Sequence, residues 1–388
     1  MILSHKHLTI DACSCRAIAS IETSIDLQPA RVRTESAMDE AEIGATKPCL
    51  VSLVEGRRYF WCACGRSKTQ PFCDGSHAGT GFLPVKFTAQ ETDEELLCAC
   101  KRTATPPYCD GSHNALSSHY GAPMEESAAS AACVTFARGP DGAERARLDN
   151  HCFVIRPAGA RSVRTGALDL FQVIGPADGA KRLSQFVGVA GEGVSPVLAF
   201  GDSDAAIFVI DGAGEILIGA RRFPLSPNCG AFVRGGEAFR LLTADRLTFN
   251  ITVCPLGPAP TILDGMPATF DERIASRIEC VDAAKKSAMG DRYYQVLIDG
   301  EKQGGHMTQF IGHIPKSRAA HHRHLYEETL TILSGEGVMW TDGTKAEIRE
   351  GDTVFLPRKQ SHSVECTSPE GMMLVGVFYP SMSPAINY

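Results

Sequence analysis

Two sets of metal-binding side chains stand out in this chain of 388 residues. The first is Cys62, Cys64, Cys73 and His77, within "CACGRSKTQPFCDGSH". It returns 36 positions later as Cys98, Cys100, Cys109 and His113, within "CACKRTATPPYCDGSH". Three thiolates with one imidazole can close a tetrahedral zinc site. The second set is His322, His324 and Glu328 in "HHRHLYEETLTILSGEG", joined by His362 in "GDTVFLPRKQSHSVE". Three imidazoles and a carboxylate suit Fe(II), Mn(II), Ni(II) or Zn(II) and disfavour calcium and magnesium. An ion held this way keeps positions open for water, dioxygen or a substrate.

These donors need elements that aim them. In an extended chain residues i and i+2 point the same way, so Cys62 and Cys64 can grip one metal atom together. Cys73 and His77 are one helical turn apart, with Asp74-Gly75 making the bend into it. Each unit has too few apolar residues to fold by burial alone, so the metal should serve as its core. His322, His324 and Glu328 share parity, which on a strand sets all three on one face. Gly335 closes the hairpin that follows, and His362 comes from a later strand after Pro357. His321 has the opposite parity and takes a surface or supporting role, unless a bulge exchanges it with His322. Without a metal, three histidines and a glutamate inside a barrel would leave polar groups unpaired, at about 1–3 kcal/mol each.

The repeated frame, C-x-C, then Ser67 or Thr103, Pro71 or Pro107, and C-D-G-S-H, resembles the CDGSH iron–sulfur family at every motif position. The resemblance implies that Cys62, Cys64, Cys73 and His77 ligate one [2Fe–2S] cluster. It assigns Cys98, Cys100, Cys109 and His113 to a second. A tandem of this kind resembles the dimer of single-motif relatives folded within one chain. A histidine ligand raises the cluster's potential and couples it to pH.

Beyond "NALSSHYGAPMEESAASAAC", a flexible tether, short apolar runs alternate with Gly, Pro, Asp and Asn, the pattern of a β-sandwich or barrel. This half is duplicated: "LFQVIGPADGAKRLSQFVGVAG" parallels "YYQVLIDGEKQGGHMTQFIGHIP", with Gln172 against Gln295 and Gly214 against Gly337. The second copy resembles the cupin superfamily, H-x-H-x3-E-x6-G followed by G-x5-P and a later His. The resemblance gives metal roles to His322, His324, Glu328 and His362. Lys316, Lys359 and Cys366 depart from its Gly, Gly and Asn positions. In the first copy Ala199, Gly201, Ala205 or Asp204, and Phe239 replace the ligands, so that barrel is expected to be metal-free and structural. The expected architecture is mainly β: an extension (1–45), a tandem CDGSH domain (46–115), a tether (116–132), and two cupin jelly-roll barrels (133–258 and 259–388).

The net charge of −7 gives no basic field for nucleic acid, and no apolar run is long enough to span a bilayer. No secretory signal is expected, although Met38 could be an alternative start after an organellar presequence. Fifteen cysteines, nine of them outside the clusters, argue against a disulfide framework and for a reducing compartment, by default the cytoplasm. The leading functional expectation is a non-haem iron oxygenase or dioxygenase acting on a small organic substrate, its two clusters supplying electrons or redox control. The rivals are a non-redox metal cupin (hydrolase, isomerase or lyase) with regulatory clusters, and a redox-sensing binding protein. The cofactors expected are two [2Fe–2S] clusters and one mononuclear ion, Fe(II) before Mn, Ni or Zn. Partners would be a small-molecule substrate, a reductase and, in a homodimer, a second copy. Gln309, Arg318 and Tyr326 are the candidate catalytic residues, with His313 and Gln360 as weaker pocket candidates. Arg318 could grip a carboxylate or be a solvated surface arginine.

Overall fold

The computed structural model describes residues 40–89, 92–116, 131–257, 259–274 and 276–385. The extension up to residue 39, with Cys13 and Cys15, and most of the expected tether lie outside them. The fold is mainly β.

The two CDGSH repeats are interlocked by strand exchange. Each contains two short strands, but Cys49–Leu53 of the first pairs antiparallel with Asp93–Leu97 of the second. Arg58–Trp61 of the first likewise pairs with Val85–Thr88 of the second. Neither repeat owns a complete sheet, so the tandem folds as one unit around Trp61, Leu96, Leu97 and the thiols Cys98, Cys100 and Cys109. The unit also begins earlier than expected. Glu42 N–H donates to the Cys64 carbonyl at 3.0 Å, and Gly44 and Ala45 donate to Ala99 at 3.0 and 3.1 Å.

Two barrel cores follow. One gathers Phe186, Phe200, Ile216, Phe239, Leu241, Phe249 and Ile251. The other gathers Phe310, Tyr326, Leu330, Ile332, Met339, Val354 and Phe378. The large sheet of the second barrel runs through Thr308–Ile314, Met372–Tyr379, Glu327–Ser334 and Thr353–Leu356. It then continues into Phe153–Arg156 and Glu144–Arg147, segments at the start of the stretch expected to form the first barrel. In return, Thr261–Leu263 and Ile278–Cys280 extend the sheets of the first barrel. Pairing therefore crosses the boundary expected at 258/259 in both directions. The duplication marks where the copies are alike, while the swapped strands lie outside it and are placed only by burial.

The barrels meet through a shared apolar layer that includes Phe153, Ile155, Phe232, Ile298, Phe355 and Val377. Polar groups fix its register. The Glu327 carboxylate accepts the backbone N–H groups of Lys181, Arg182 and Leu183 at 2.8–3.2 Å. Asn250 donates to Thr331 at 3.0 Å, and Gln185 bonds both Thr329 and Thr331. Among the described residues one disulfide, Cys229–Cys280, joins the first barrel to its borrowed strand. The expectation from cysteine scatter missed this pair: residues 51 apart in sequence are brought opposite each other by sheet pairing alone.

Candidate metal centres

The two CDGSH motifs are built alike, bond for bond. Cys62 N–H donates to Pro71 O and Cys98 N–H to Pro107 O, both at 2.9 Å. Ser67 and Thr103 hydroxyls donate to the Phe72 and Tyr108 carbonyls at 2.6 and 2.7 Å. Asp74 and Asp110 each cap their loop by accepting backbone N–H groups, from Lys68 and Ser76 and from Ala104 and Ser112. The sequence predicted a helical turn from Cys73 to His77. The chain forms an irregular turn there, and only the second motif runs into a short 3-10 helix, Ser112–Leu116. The Asp cap takes over the role of helical hydrogen bonds in holding the loop.

Within each motif the donors fall into two pairs. Cys62 and Cys64 sulfurs are 3.7 Å apart, and Cys98 and Cys100 sulfurs 3.5 Å. Cys73 Sγ lies 3.1 Å from His77 Nδ1, and Cys109 Sγ 3.2 Å from His113 Nδ1. Two ligands about 2.3 Å from one tetrahedral atom stand roughly 3.8 Å apart, so each pair is spaced to hold one metal atom. A single zinc would draw all four donors of a motif to that spacing. Among the described residues, the only three or more donors mutually within 4.8 Å are elsewhere, in the second barrel. The split donor set fits an iron–sulfur cluster, which spreads its ligands over two metal atoms.

The copies differ in setting. His77 is half-buried, whereas His113 is only 4% exposed and burial pushes the Cys109 thiol up to about 12. Between the motifs, Trp61 Nε1–H donates to the Cys98 carbonyl at 2.6 Å, which ties the neighbour of one ligand to a ligand of the other set. Lys101 caps the same carbonyl at 3.0 Å and sits 4.4 Å over the Trp61 ring. It occupies the position held in the first copy by Gly65, and both have positive φ, +84° for Gly65 and +62° for Lys101. Gly65 is forced, because a Cβ there would collide with the Glu42 carbonyl. Lys101 accepts the left-handed backbone and places a cation between the two sites.

In the second barrel, the donor nitrogens of His322, His324 and His362 lie within 4.8 Å of one another. His322 and His362 form an antiparallel bridge, each N–H bonding the other's carbonyl at 3.0 Å. Their Nδ1 atoms face the carbonyls of Ala320 and Gln360 at 2.9 and 2.8 Å. A carbonyl only accepts, so Nδ1 carries the proton and Nε2 keeps its lone pair for a metal. Burial, reinforced by the neighbouring imidazoles, lowers the pKa of His322 to about 3 and that of His362 well below its ordinary value. Both rings are therefore neutral at pH 7. Glu328 stands beside the trio, its Oε2 2.8 Å from His324 Nδ1 yet accepting no hydrogen bond among the described residues. Two lone-pair-bearing atoms at this separation fit a shared cation.

Not every predicted site residue gathers here. His322 and His324 precede the strand instead of lying on it, since the regular strand Glu327–Ser334 holds only Glu328, while His362 opens the later strand His362–Cys366. His321 stays outside the trio, near Arg318 and Asp342, as its parity required. Tyr326 is fully buried, stacked on His324 (ring centroids 4.5 Å) and on Phe378 (4.0 Å). Gln309 faces the first barrel, packed so closely on Gly230 that a Cβ there would collide with its Oε1. Its neighbour Phe310 takes the inward position, so strand alternation excludes Gln309 from the site. Arg318 lies 3.8 Å from the Trp340 ring, and Trp340 alternates with the core residue Met339, which puts both on the outer wall. His313 stacks on Tyr293 at 4.9 Å, on the same outward face as Gln309. Gln360 is buried and supports His362 through its backbone.

The first barrel has Ala205, Phe200 and Phe239 in its core, and Phe186, Phe200 and Phe239 fill it with rings 5.9–6.3 Å apart. Asp204 turns away to accept N–H groups from Gly235 and His306 at 2.8 and 3.2 Å, linking the barrels.

The metal unit touches the second barrel beside the trio. Leu325, the residue after His324, packs into the same apolar core as Cys98, Cys100 and Cys109. Arg358 donates to the Leu325 carbonyl at 2.7 Å and pairs with Asp93 and Glu95 at 3.3 and 3.4 Å. Lys359 N–H donates to the His324 carbonyl at 2.7 Å, and its ammonium reaches Asp93 at 2.7 Å. Lys359 has φ +66°, which explains the Gly expected at this position and shows what the lysine adds. Sequence reasoning missed these contacts because their partners lie some 265 positions apart.

Two family models match this chain: an iron-binding zinc finger of the CDGSH type over residues 25–78, and a cupin domain over residues 312–378. The mitochondrial CDGSH iron-sulfur domain-containing protein 3 of Homo sapiens is 64% identical over 47 residues, 12% of this chain and 37% of that protein. Quercetin 2,3-dioxygenase of Bacillus subtilis is 29% identical over 97 residues, 24% of this chain and 29% of that enzyme. The chain thus spans about a third of the length of these relatives. A solved oxalate decarboxylase structure aligns with TM-score 0.49 and 10% identity, over 59% of this chain and 77% of that one. A CDGSH domain implies an iron–sulfur cluster, and a cupin domain implies a metal ion. The chain thus contains a cupin domain in its second barrel and, ahead of the barrels, a CDGSH-type iron-binding domain.

Proposed function

We propose that this protein is a metal-dependent oxygenase acting on a small organic substrate, with two [2Fe–2S] clusters serving one mononuclear ion, Fe(II) by preference. The observation that carries this reading is the contact at Leu325, one peptide from His324 and packed in the core that holds the second set of cluster thiols. An electron carrier set against a metal site makes most sense where that metal changes oxidation state. When bound, the clusters supply single electrons and the ion supplies open positions for substrate and dioxygen.

The chain's own residues divide the remaining work. His77, half-buried, marks the first motif as the entry point for a reductase, while buried His113 marks the second as the inner station. Trp61 joins the two through its bond to Cys98 O. Ala320 and Gln360 hold the Nδ1 protons of His322 and His362, so that both Nε2 atoms face inward. Tyr326 clamps the His324 ring and, with Phe310 and Phe378, lines the interior with apolar surface that excludes water.

The test is metal analysis and oxygen uptake on the anaerobically purified full chain. We expect two clusters and barrel-bound iron per chain, with substrate-dependent oxygen consumption. In His362→Ala that consumption and the mononuclear metal are lost, while visible cluster absorption persists. Full turnover with Mn or Zn in the absence of oxygen would sink the oxygenase reading, and a colourless chain holding zinc would sink the clusters.

A further inference from the structure

Arg292 opens the strand Arg292–Ile298 of the second barrel and belongs to neither set of metal donors. Tyr294, two positions on, packs against the barrel core, while Tyr293 between them stacks on His313 on the outer face. Alternation therefore turns Arg292 inward with Tyr294. Its side chain is only 11% exposed. One edge of the guanidinium is taken, with Nε 3.5 Å from the Asp291 carboxylate. The other is not: Nη2 is buried and has no hydrogen-bond partner among the described residues. The charge reaches inside the barrel, where it acts on Cys366, a core residue. A buried cation with an unmade hydrogen bond is costly to the fold, and an anion would supply what it lacks.

We propose that Arg292 is the anchor of an anion site at the mouth of the second barrel, and that the ligand taken there is a small carboxylate. The proposal rests on the metal-site reading only in placing that ligand beside His322. One negative charge and one or two acceptor oxygens match a single free guanidinium end. A phosphate would bring further oxygens for which one guanidinium end has no matching donors. The carboxylate end of a substrate held by Arg292 would direct its other end toward the three imidazoles. That makes Arg292 the specificity-determining residue, in place of Arg318 on the outer wall.

The probe is acetate, with neutral acetamide as its isostere, and the readout is the thermal unfolding midpoint and the dissociation constant of the full metal-loaded chain. Acetate should raise the midpoint of the native protein and acetamide should not. Arg292→Met should melt higher than the native chain without ligand, because a buried guanidinium with an unmade hydrogen bond is gone, and should bind acetate at least tenfold more weakly. Arg292→Lys, which keeps the charge, should retain part of the acetate response and guards against a misfolded methionine variant. No response in the native protein, or an equal response in native and Arg292→Met chains, would overturn the proposal; the latter would mean that acetate sits on the metal alone. Neither result depends on oxygen uptake. An oxygenase reading that fails while acetate still binds through Arg292 leaves this site standing, and the converse holds.

Discussion

Among single residues, the two lysines in left-handed backbone, Lys101 and Lys359, are the most informative departures in the chain. A side chain in that region costs on the order of 1 kcal/mol, and in both cases a glycine is the expected occupant. Each lysine instead delivers a buried ammonium to a junction: Lys101 between the two cluster sites, Lys359 between the cluster unit and the barrel. Lys101 lies close enough to act on the charge of Cys62, Cys98 and Cys100 alike. A buried positive charge favours the reduced, more negative cluster. Lys101→Met should therefore lower the reduction potential of both clusters by an amount on the order of tens of millivolts. A redox titration followed by EPR reads this directly, and unchanged potentials would show that the lysine serves packing alone. The metal donors are legible in the sequence because their chemistry lies in their types and spacings. Gln309 and Arg318 are misread from it because strand parity cannot be assigned across the bulge between Val296 and Ile298 and the irregular segment before His322.

Among the elements, the strand Glu327–Ser334 serves two masters on its two faces. Glu328, Leu330 and Ile332 point into the barrel, while Glu327, Thr329 and Thr331 point at the first barrel. The first barrel is thus what holds the start of the ligand strand in register. Glu327→Gln removes the charge that accepts three backbone N–H groups and leaves a weaker acceptor. We expect it to destabilise the chain by about 2 kcal/mol in urea unfolding. It should also weaken retention of the mononuclear metal, since Glu328 and the His324 loop are held from this point. A variant equally stable but metal-poor, or metal-rich but unstable, would show that the two roles separate. The duplication is legible as two copies of one pattern. The exchanged strands are not, because Phe153–Arg156 and Ile278–Cys280 are short apolar segments that fit either sheet by pattern.

Across the molecule as a whole, the CDGSH unit meets the second barrel through Leu325 and a group of ion pairs. Burial would push the Asp93 carboxyl up, but Lys359 and Arg358 more than offset it and hold its pKa below the ordinary aspartate value. A carboxylate with a depressed folded-state pKa stabilises the fold above its unfolded pKa and loses that contribution as pH falls through the folded value. The docking of the two parts should therefore persist at neutral pH and weaken in acid, below the ordinary aspartate range. Asp93→Asn should flatten this acid dependence and leave the neutral-pH spectrum of the clusters unchanged. Hydrogen exchange at Leu325 and Lys359 as a function of pH provides the measurement. Acid loosening that is the same in both proteins would place the weak point elsewhere.

Residue identity and periodicity along the chain are enough to say which atoms can bind metal, how many copies of each module exist, and which barrel lacks ligands. They are not enough to say which repeat faces the barrel, that Leu325 and Lys359 connect the two kinds of site, or that Arg292 is buried with one donor unpartnered. Those facts come from side chains far apart in sequence meeting in three dimensions, and such meetings are set by the burial of the entire chain.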